Sequence, residues 1–366
     1  MSVIALDATY AADPQPSGVA VYSRRLIEAL GGLGLSRRFL LCYRLSRYRR
    51  REEYRRLAAA QGPNFRARAY QTGLTWWLPW QAELFHSLAQ RPPAFRFRRE
   101  VVTVFDVFPL TGRDYSTPEF QRKFSALLLA AVGRAQRVIA SSRATADQLV
   151  SLAGVPPEKL RVIPLGVELP AGLLSPEERA RERAKLVGEG NELVLGVGVL
   201  QTRKNTLNAM RALASLPARY RLVWAGGDGH GSDAIHAFVR QERLGERVKL
   251  LGYVPEDQLP QLYPAASVLL FPSLEEGFGL PILEAMACGV PVVTSNVSSM
   301  PEVGGDAALY ADPLDPGELA AQVLRAVENP EVRRRLIDRG LARAREFTWR
   351  RTAERTCAVY EELLAL

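Results

Sequence analysis

Two glutamates, Glu276 and Glu284, flank a glycine-punctuated turn in the stretch LEEGFGLPILEAMACGVPVV (Leu274–Val293). Gly277 and Gly279 permit unusual φ and close backbone approach. Pro281 suits the first position of a helix, where a missing N–H leaves nothing unsatisfied. The run ILEAMACG then reads as a helix whose free N–H groups and positive dipole end form a phosphate site. Glu276 falls just before that site, and Glu284 close behind it in the helix. Carboxylates beside an anion site suit hydroxyl groups, whose hydrogens they accept, and would repel the phosphate itself. A nucleoside diphosphate sugar, with phosphates and two sets of hydroxyls, meets all of these demands together. If Glu276 were only a helix cap and Glu284 a surface residue, both glycines, the proline and the small-residue helix would lack a common cause.

The elements that must position such a site are readable from hydrophobic pattern. VIALDAT and VVTVFDVFP are short, β-branched runs ending in turn or polar residues, as buried parallel strands do, and RVIASS and LRVIPLG continue the series. Helical patterns such as VAVYSRRLIEALGGLG and FQRKFSALLLAAVGRAQ lie between them, so the chain reads as doubly wound α/β. The 366 residues exceed one compact core and fit two domains. Pro, Gly and charge replace apolar periodicity around VELPAGLLSPEERARERAKLVGEGNE, after which LVLGVGVL opens a second αβ series. The expected division is a first Rossmann-like domain over 1–168, a linker over 169–190, a second Rossmann-like domain over 191–347 and a final amphipathic helix over 348–366. In open α/β sheets ligands sit at the carboxyl ends of strands. Polar and glycine-rich residues just after strands are therefore the ones that matter.

Composition narrows the chemistry. With 47% hydrophobic and 24% charged residues the chain is of ordinary globular type, and no apolar run reaches the roughly 18 residues of a membrane span. MSVIALDATY reads as a first strand and not as an export signal. Three cysteines (Cys42, Cys288, Cys357) and three histidines (His86, His230, His236) offer neither a disulfide framework nor metal-ligand spacing, so no metal site and a cytoplasmic location are expected. The net charge of +9 is uneven: 25 Lys/Arg against 13 Asp/Glu up to Glu168, then 23 against 26. RLSRYRRREEYRR (Arg44–Arg56) is the densest basic piece, either a solvated face or a surface for anionic lipid, nucleic acid or a phosphorylated acceptor. No nucleic-acid recognition motif accompanies it. LTWWLPW (Leu74–Trp80) clusters three tryptophans in the same half, which suits a membrane interface, a carbohydrate platform or a core corner. NVS at Asn296 matches a glycosylation acceptor, which in a cytoplasmic chain is chance.

The quoted glutamate stretch resembles the E-x7-E signature of retaining glycosyltransferases of family 4, which have the GT-B fold. GVGVLQTRKNTLNAMRAL, LVWAGG, VKLLGYVPEDQLPQLYPAASVLLFPS, PVVTSNVSSMPEVGGDAALYADPLDPGELA and FTWRRTAERTCAVYEEL are similar to family segments in family order. The likeness covers essentially Leu193–Leu366. It is thinner in the first half, at GVAVYSRRLIEAL, FHSL and VVTVFDVFPL. It implies two Rossmann-like domains with parallel sheets facing across a cleft, and a C-terminal helix that crosses back to the first domain. It also implies metal-independent transfer of a sugar from a nucleotide donor to a hydroxyl acceptor, a glycan or lipid-linked saccharide, with retention and without a cofactor. The RKN form is similar to mannosyltransferase-like members, which points to GDP-mannose ahead of UDP- or dTDP-sugars. An inactive sugar-nucleotide-binding subunit, an epimerase and a phosphorylase are the competing readings.

The resemblance assigns roles by position. Glu284 would hydrogen-bond the ribose and Glu276 the donor sugar. The backbone of Phe278, Gly279 and Leu280 would meet sugar and diphosphate, and Arg203 and Lys204 would bring positive charge to that diphosphate. No D-x-D triplet occurs in the chain to hold a divalent ion. Fixed cations and a helix start must then stabilise the leaving group, each such contact being worth on the order of 10²-fold in rate. Similar chains often carry an arginine after the glycine equivalent to Gly198; here Val199 stands there, so Arg203 takes the role. The plainer reading of TRKN is a helix start with Asn205 as cap. Gly226 and Gly227 would admit the nucleotide backbone, and Gly252, Tyr253 and Val254 would flank the base, unless they are ordinary turns. Gly18 would face the donor phosphates. Where similar chains read His-Asp, this one has Phe105 and Asp106. His86 is then the candidate substitute, and Asp106 touches the acceptor or fixes its loop. A peripheral position on the inner face of an anionic membrane follows if the tryptophans and arginines act together.

Overall fold

The structure, a computed structural model, describes residues 2–14, 16–71 and 73–365, and the chain divides into two units. The first comprises Met1–Gly112, Pro118–Gly166 and Thr348–Leu366; the second comprises Arg113–Thr117 and Val167–Phe347.

In the first unit the strands are β1 (Val3–Asp7), β2 (Arg38–Arg44), β3 (Phe65–Tyr70), β4 (Leu84–Ser87), β5 (Arg99–Val104), β6 (Arg137–Ala140) and β7 (Leu160–Val162). They form one parallel sheet in the order β3-β2-β1-β4-β5-β6-β7. Ile4, Ala5 and Leu6 are buried in succession on β1, as they must be in a strand covered on both faces. Strand order reverses at β1, where β2 lies on one side and β4 on the other, so loops diverge there.

The last helix, Trp349–Leu364, belongs to this unit and packs on the helix Gly18–Gly32, Tyr22 and Trp349 being 6.1 Å apart. Thr348 caps it by accepting from the Arg351 N–H at 3.2 Å. Thr352 donates to the Pro164 carbonyl at 2.9 Å, and Arg137 reaches Glu362 at 2.6 Å.

The second unit repeats the architecture with β8 (Glu192–Val197), β9 (Tyr220–Ala225), β10 (Val248–Leu250), β11 (Val268–Phe271), β12 (Val292–Ser295) and β13 (Leu309–Ala311). Their order is β10-β9-β8-β11-β12-β13, again parallel. Tyr220, Leu222 and Trp224 pack with Leu213, Val268 and Val293 in its core. Here the order reverses between β8 and β11, and the loops that leave those two strands carry Arg203 and Glu276. The stretch expected as a linker holds a helix, Pro176–Val187, started by a capping box in which Ser175 and Glu178 satisfy each other's backbone N–H. That helix is part of the second unit: Arg179 donates to the Cys288 carbonyl and Arg183 pairs with Glu192, each near 3 Å (3.1 and 3.0 Å). Its sequence is charge-rich because it lies on the surface, which hid it from the apolar pattern.

Candidate active site

β11 ends at Phe271, and the chain turns through Ser273 to Gly279 before the helix Leu280–Ala287. Gly279 adopts φ +103°, a backbone conformation that a side chain would strain, and this sharp turn aims the helix start back over the strand end. Leu280 opens the helix and Pro281 stands second, one place later than the sequence suggests. The proline still falls among the first four residues, whose N–H groups need no intrahelical partner.

The turn is fastened by two serines from the loop after β12. The Ser298 hydroxyl donates to the Glu276 carbonyl at 2.8 Å and accepts from the Glu276 N–H at 3.2 Å. Ser299, fully buried, reaches the carbonyls of Glu276 and Phe278 at 2.9 and 2.8 Å. Ser298 is itself held at φ +57°. Sequence reasoning missed both; the only signal was NVSS as a Ser-rich turn, and the hydroxyl of its sequon is spent internally.

Glu276 is 8% exposed. Arg203 Nη1 lies 3.1 Å from one carboxylate oxygen and Lys204 Nζ 2.6 Å from the other. Burial alone would raise the Glu276 carboxyl; Lys204 and then Arg203 outweigh it and hold the group down at about 2. Arg203 also donates to the Glu275 carbonyl at 2.7 Å, and the Lys204 ammonium stands 5.0 Å from the Phe271 ring centroid. The turn Thr202–Lys204 thus delivers two fixed cations to the end of β11, while the Leu274 N–H donates to the Arg203 carbonyl at 2.9 Å. Asn205 occupies the cap position of the helix Thr206–Ser215, but its side chain does not cap it. The amide instead bonds the carbonyls of Pro272 and Pro313, at 2.9 and 2.6 Å, tying the two loops together from a left-handed φ of +57°.

Glu284 projects from the same helix and is half-buried. Burial raises its pKa; the hydroxyl of the buried Tyr263, hydrogen-bonded to its Oε2, pulls the other way, and the charge of Glu256 raises it further. Tyr263 is a third residue that the sequence did not announce, since it sits in YPAAS with no polar pattern around it.

Gly226 and Gly227 follow β9 and are knitted to their neighbours. The Gly226 N–H donates to Gly252 and the Leu200 N–H to Gly227, both at 2.8 Å. A Cβ on Gly226 would fall 1.9 Å from the Gly198 carbonyl oxygen, whereas one on Gly227 would meet nothing nearer than 3.9 Å. Gly252 turns at φ +68°, Tyr253 is exposed and Val254 half-buried. The Phe278 ring packs on Phe347, 5.9 Å between centroids, so only its backbone is free to face a ligand; Leu280 is half-buried.

In the first unit the sequence candidates separate. Gly18 starts its helix in an exposed position. Asp106 lies half-buried just after β5, and Phe105 packs edge-on against Tyr22 at 4.8 Å. His86 cannot replace the missing histidine, a correction to the sequence reading. It is 0% exposed on β4, with Nδ1 bonded to the Tyr360 hydroxyl at 2.6 Å and Nε2 to Thr103 Oγ1 at 2.8 Å. Burial lowers its pKa to about 3. The ring ties the sheet to the last helix and has no nitrogen left for a sugar.

Comparison with known proteins adds the family. Residues 16–170 match Glycosyltransferase Family 4, and residues 178–343 match Glycosyl transferases group 1. The chain is 34% identical over 274 residues to O-antigen chain mannosyltransferase B of Escherichia coli, covering 73% of this chain and 71% of that one. It is 31% identical over 262 residues to the MMP alpha-(1->4)-mannosyltransferase of Mycolicibacterium hassiacum, covering 70% and 60% of the two. Its fold superimposes with a TM-score of 0.76 on sucrose-phosphate synthase from Thermosynechococcus elongatus, at 24% identity over the full length of both chains. With two parallel α/β units and these matches across both, the chain belongs to the group 1, family 4 glycosyltransferases of GT-B fold.

Proposed function

We propose that this protein is a metal-independent retaining glycosyltransferase that moves a hexose, mannose from GDP-mannose, to a hydroxyl of a glycan or lipid-linked saccharide. The observation that carries the reading is the Arg203–Glu276–Lys204 cluster at the β8 and β11 strand ends, directly before the start of the helix Leu280–Ala287. In this reading the diphosphate draws Arg203 and Lys204 to itself and meets the amides at Gly279 and Leu280. Glu276 then turns its carboxylate to the sugar hydroxyls. Glu284 takes the ribose, with Tyr263 orienting it, and Gly226, Gly227 and Gly252–Val254 border the base. The C1–O bond to the phosphate breaks, the acceptor oxygen attacks C1 from the same face, and its proton passes to the departing phosphate oxygen. The two arginine and lysine cations stabilise the charge that develops there, as a preorganised electrostatic site does. The mannosyltransferase names of the two relatives above support mannose as the sugar moved, and GDP-mannose is the donor proposed with it. Among the described residues no helix is long and apolar enough to cross a membrane, and a peripheral position on the inner membrane face suits a lipid-linked acceptor.

The test combines three measurements. GDP, UDP, ADP and dTDP are compared by thermal shift, since a ligand of the folded state raises the midpoint; GDP should give the largest rise. Transfer from GDP-mannose is then followed with EDTA present, and the anomeric configuration of the product is read by NMR. Equal shifts from all four nucleotides, loss of turnover in EDTA, or an inverted product would each defeat the corresponding part of the reading.

A further inference from the structure

In the first unit a cleft of about 730 Å³ opens at the carboxyl ends of β2 and β3, where open α/β sheets hold their ligands. Arg44, the last residue of β2, and Ser46 beyond it line the cleft together with Tyr70, the last residue of β3, Gln71, Pro92 and Pro93. Arg44 is fixed in place: its Nε donates to the Tyr70 hydroxyl at 3.3 Å and its Nη2 to the Arg91 carbonyl at 2.9 Å. Arg91 is fixed beside it, donating to the Tyr10 hydroxyl at 2.7 Å with its guanidinium 4.6 Å from the Phe124 ring centroid. Neither arginine has an ion-pair partner among the described residues, whereas Arg47 and Arg50 of the same basic run share Asp13 at 3.4 and 3.9 Å. Asp7, at the end of β1, is fully buried and bonded to Thr9; it lies near enough for Arg44 and Arg91 both to feel its charge, which leaves two cations beside one buried carboxyl whose pKa burial raises. A guanidinium that is hydrogen-bonded only to neutral groups, carries no direct ion pair and lines a cleft is a receptor for an oxyanion, which its planar fork grips in two places. The Ser46 hydroxyl and the Gln71 amide offer further donors at the mouth.

Exposed apolar side chains follow both strands in the chain, interleaved after β2 with Arg47, Arg49 and Arg50. Leu45 and Tyr48 follow β2, and Leu74, Trp76 and Trp80 follow β3, the two tryptophans being 61% and 75% exposed and edge-to-face at 4.9 Å. Rings with one apolar body and one polar tip belong at a headgroup interface.

We propose that this cleft binds the phosphate group of a phosphorylated acceptor, with Arg44 as its anchor. Its service as an acceptor subsite rests on the transferase reading above; the binding itself does not. The same phosphate chemistry arrives either on a free sugar phosphate or on a lipid headgroup, and the experiment separates the two.

With the nucleotide site saturated by GDP, glycerol 3-phosphate is titrated into the full chain and heat is measured. Saturable binding is expected, unchanged in Arg49→Gln, an exposed arginine of the same basic run, and weakened about tenfold or more in Arg44→Gln, the loss of one charge-assisted contact. Absence of binding, or equal binding by Arg44→Gln, overturns the proposal. Should Arg44→Gln fail to fold, Ser46→Glu sets a carboxylate at the exposed mouth and must weaken binding as much; unaltered binding there also overturns it. If GDP itself does not bind, the donor reading fails while the titration still reads the cleft. Sedimentation with vesicles of phosphatidylglycerol and phosphatidylcholine, against phosphatidylcholine alone, identifies the source. Pelleting that is reduced by Arg44→Gln and by Trp80→Ser assigns the phosphate to a lipid, and binding of the soluble ester without pelleting assigns it to a free sugar phosphate.

Discussion

The Lys204 ammonium lies 2.6 Å from one oxygen of Glu276, while Arg203 takes the other at 3.1 Å, so a single buried carboxylate is shared by two consecutive cations and the cluster keeps one net positive charge. Removing the carboxylate therefore differs from removing either cation. Glu276→Gln leaves two adjacent positive charges in a nearly dry site. It should cost about 3–5 kcal/mol, the range for breaking a buried pair from one side. Lys204→Ala leaves Arg203 with Glu276 and should cost less. Urea unfolding of the two variants gives the order directly, and equal losses would show that the cluster is better hydrated than its burial implies.

Activity should follow another ranking. Arg203→Ala and Lys204→Ala should each lower kcat on the order of 10²-fold, as loss of one stabilising donor does. Because both cations meet the same carboxylate and, in the proposed reaction, act on the same leaving group, the double variant should lose less than the product of the two. Steady-state rates at saturating GDP-mannose measure this. Multiplicative losses would mean that the two side chains work at separate places.

Two groups make the fold sensitive to acid in overlapping windows. Glu276 titrates near 2 in the folded chain against an ordinary 4.5, so its stabilisation is complete above about 4.5 and lost as pH falls through about 2. His86 is held neutral down to about 3 against an ordinary 6.5. The unfolded chain therefore binds a proton there first, and stability drains away as pH falls from about 6.5 to about 3. His86→Gln should flatten the upper part of the profile and leave the decline below pH 4.5. The urea midpoint measured across this range decides it. An unchanged slope between pH 6.5 and 5 in the variant would place the sensitivity elsewhere.

The sequence shows the site's backbone better than its fastenings. Parallel strands, the glycine turn and the two cations are local patterns: a β-branched run, a Gly-x-Gly before proline, charges just after a strand. The partners that fix them come from elsewhere in the chain. Ser299 lies 23 positions from Glu276 and Tyr263 lies 21 positions from Glu284, and no periodicity links such pairs. His86 misled for the same reason. A histidine at a strand end has the right address for a sugar contact, and only the Tyr360 hydroxyl, 274 positions on, shows that it is a core hydrogen-bond node. The helix Pro176–Val187 was hidden because none of its residues is buried, which leaves no apolar stripe to read.

Gly226 and Gly227 stand side by side but should respond oppositely to alanine. A Cβ on Gly226 would lie 1.9 Å from the Gly198 carbonyl oxygen, a backbone atom that cannot swing away. Gly226→Ala should thus part the β8 and β9 loops and destabilise by several kcal/mol, among the large losses that follow overpacking. Gly227→Ala has room and should unfold within about 0.5 kcal/mol of the parent. Any loss of nucleotide affinity in Gly227→Ala then reports ligand contact alone, and unaltered affinity would remove Gly227 from the nucleotide site.

Ser299 offers the sharpest separation of positioning from mere support. Its hydroxyl reaches the carbonyls of Glu276 and Phe278 from a fully buried position, and Ser298 holds the same peptide from the other side. Ser299→Ala leaves the Phe278 carbonyl without that donor, at a cost of about 1–3 kcal/mol. Each kcal/mol lowers Tm by roughly 2–4 °C in a unit of this size. If the serine also sets the angle at which the Glu276 carboxylate meets the donor sugar, its loss should act beyond stability. Measured well below Tm, affinity for the nucleotide sugar should fall while affinity for the nucleotide alone stays put, since Glu284 and the β9 loop do not depend on this bond. A lower Tm with both affinities intact would reduce Ser299 to a fastening of the turn.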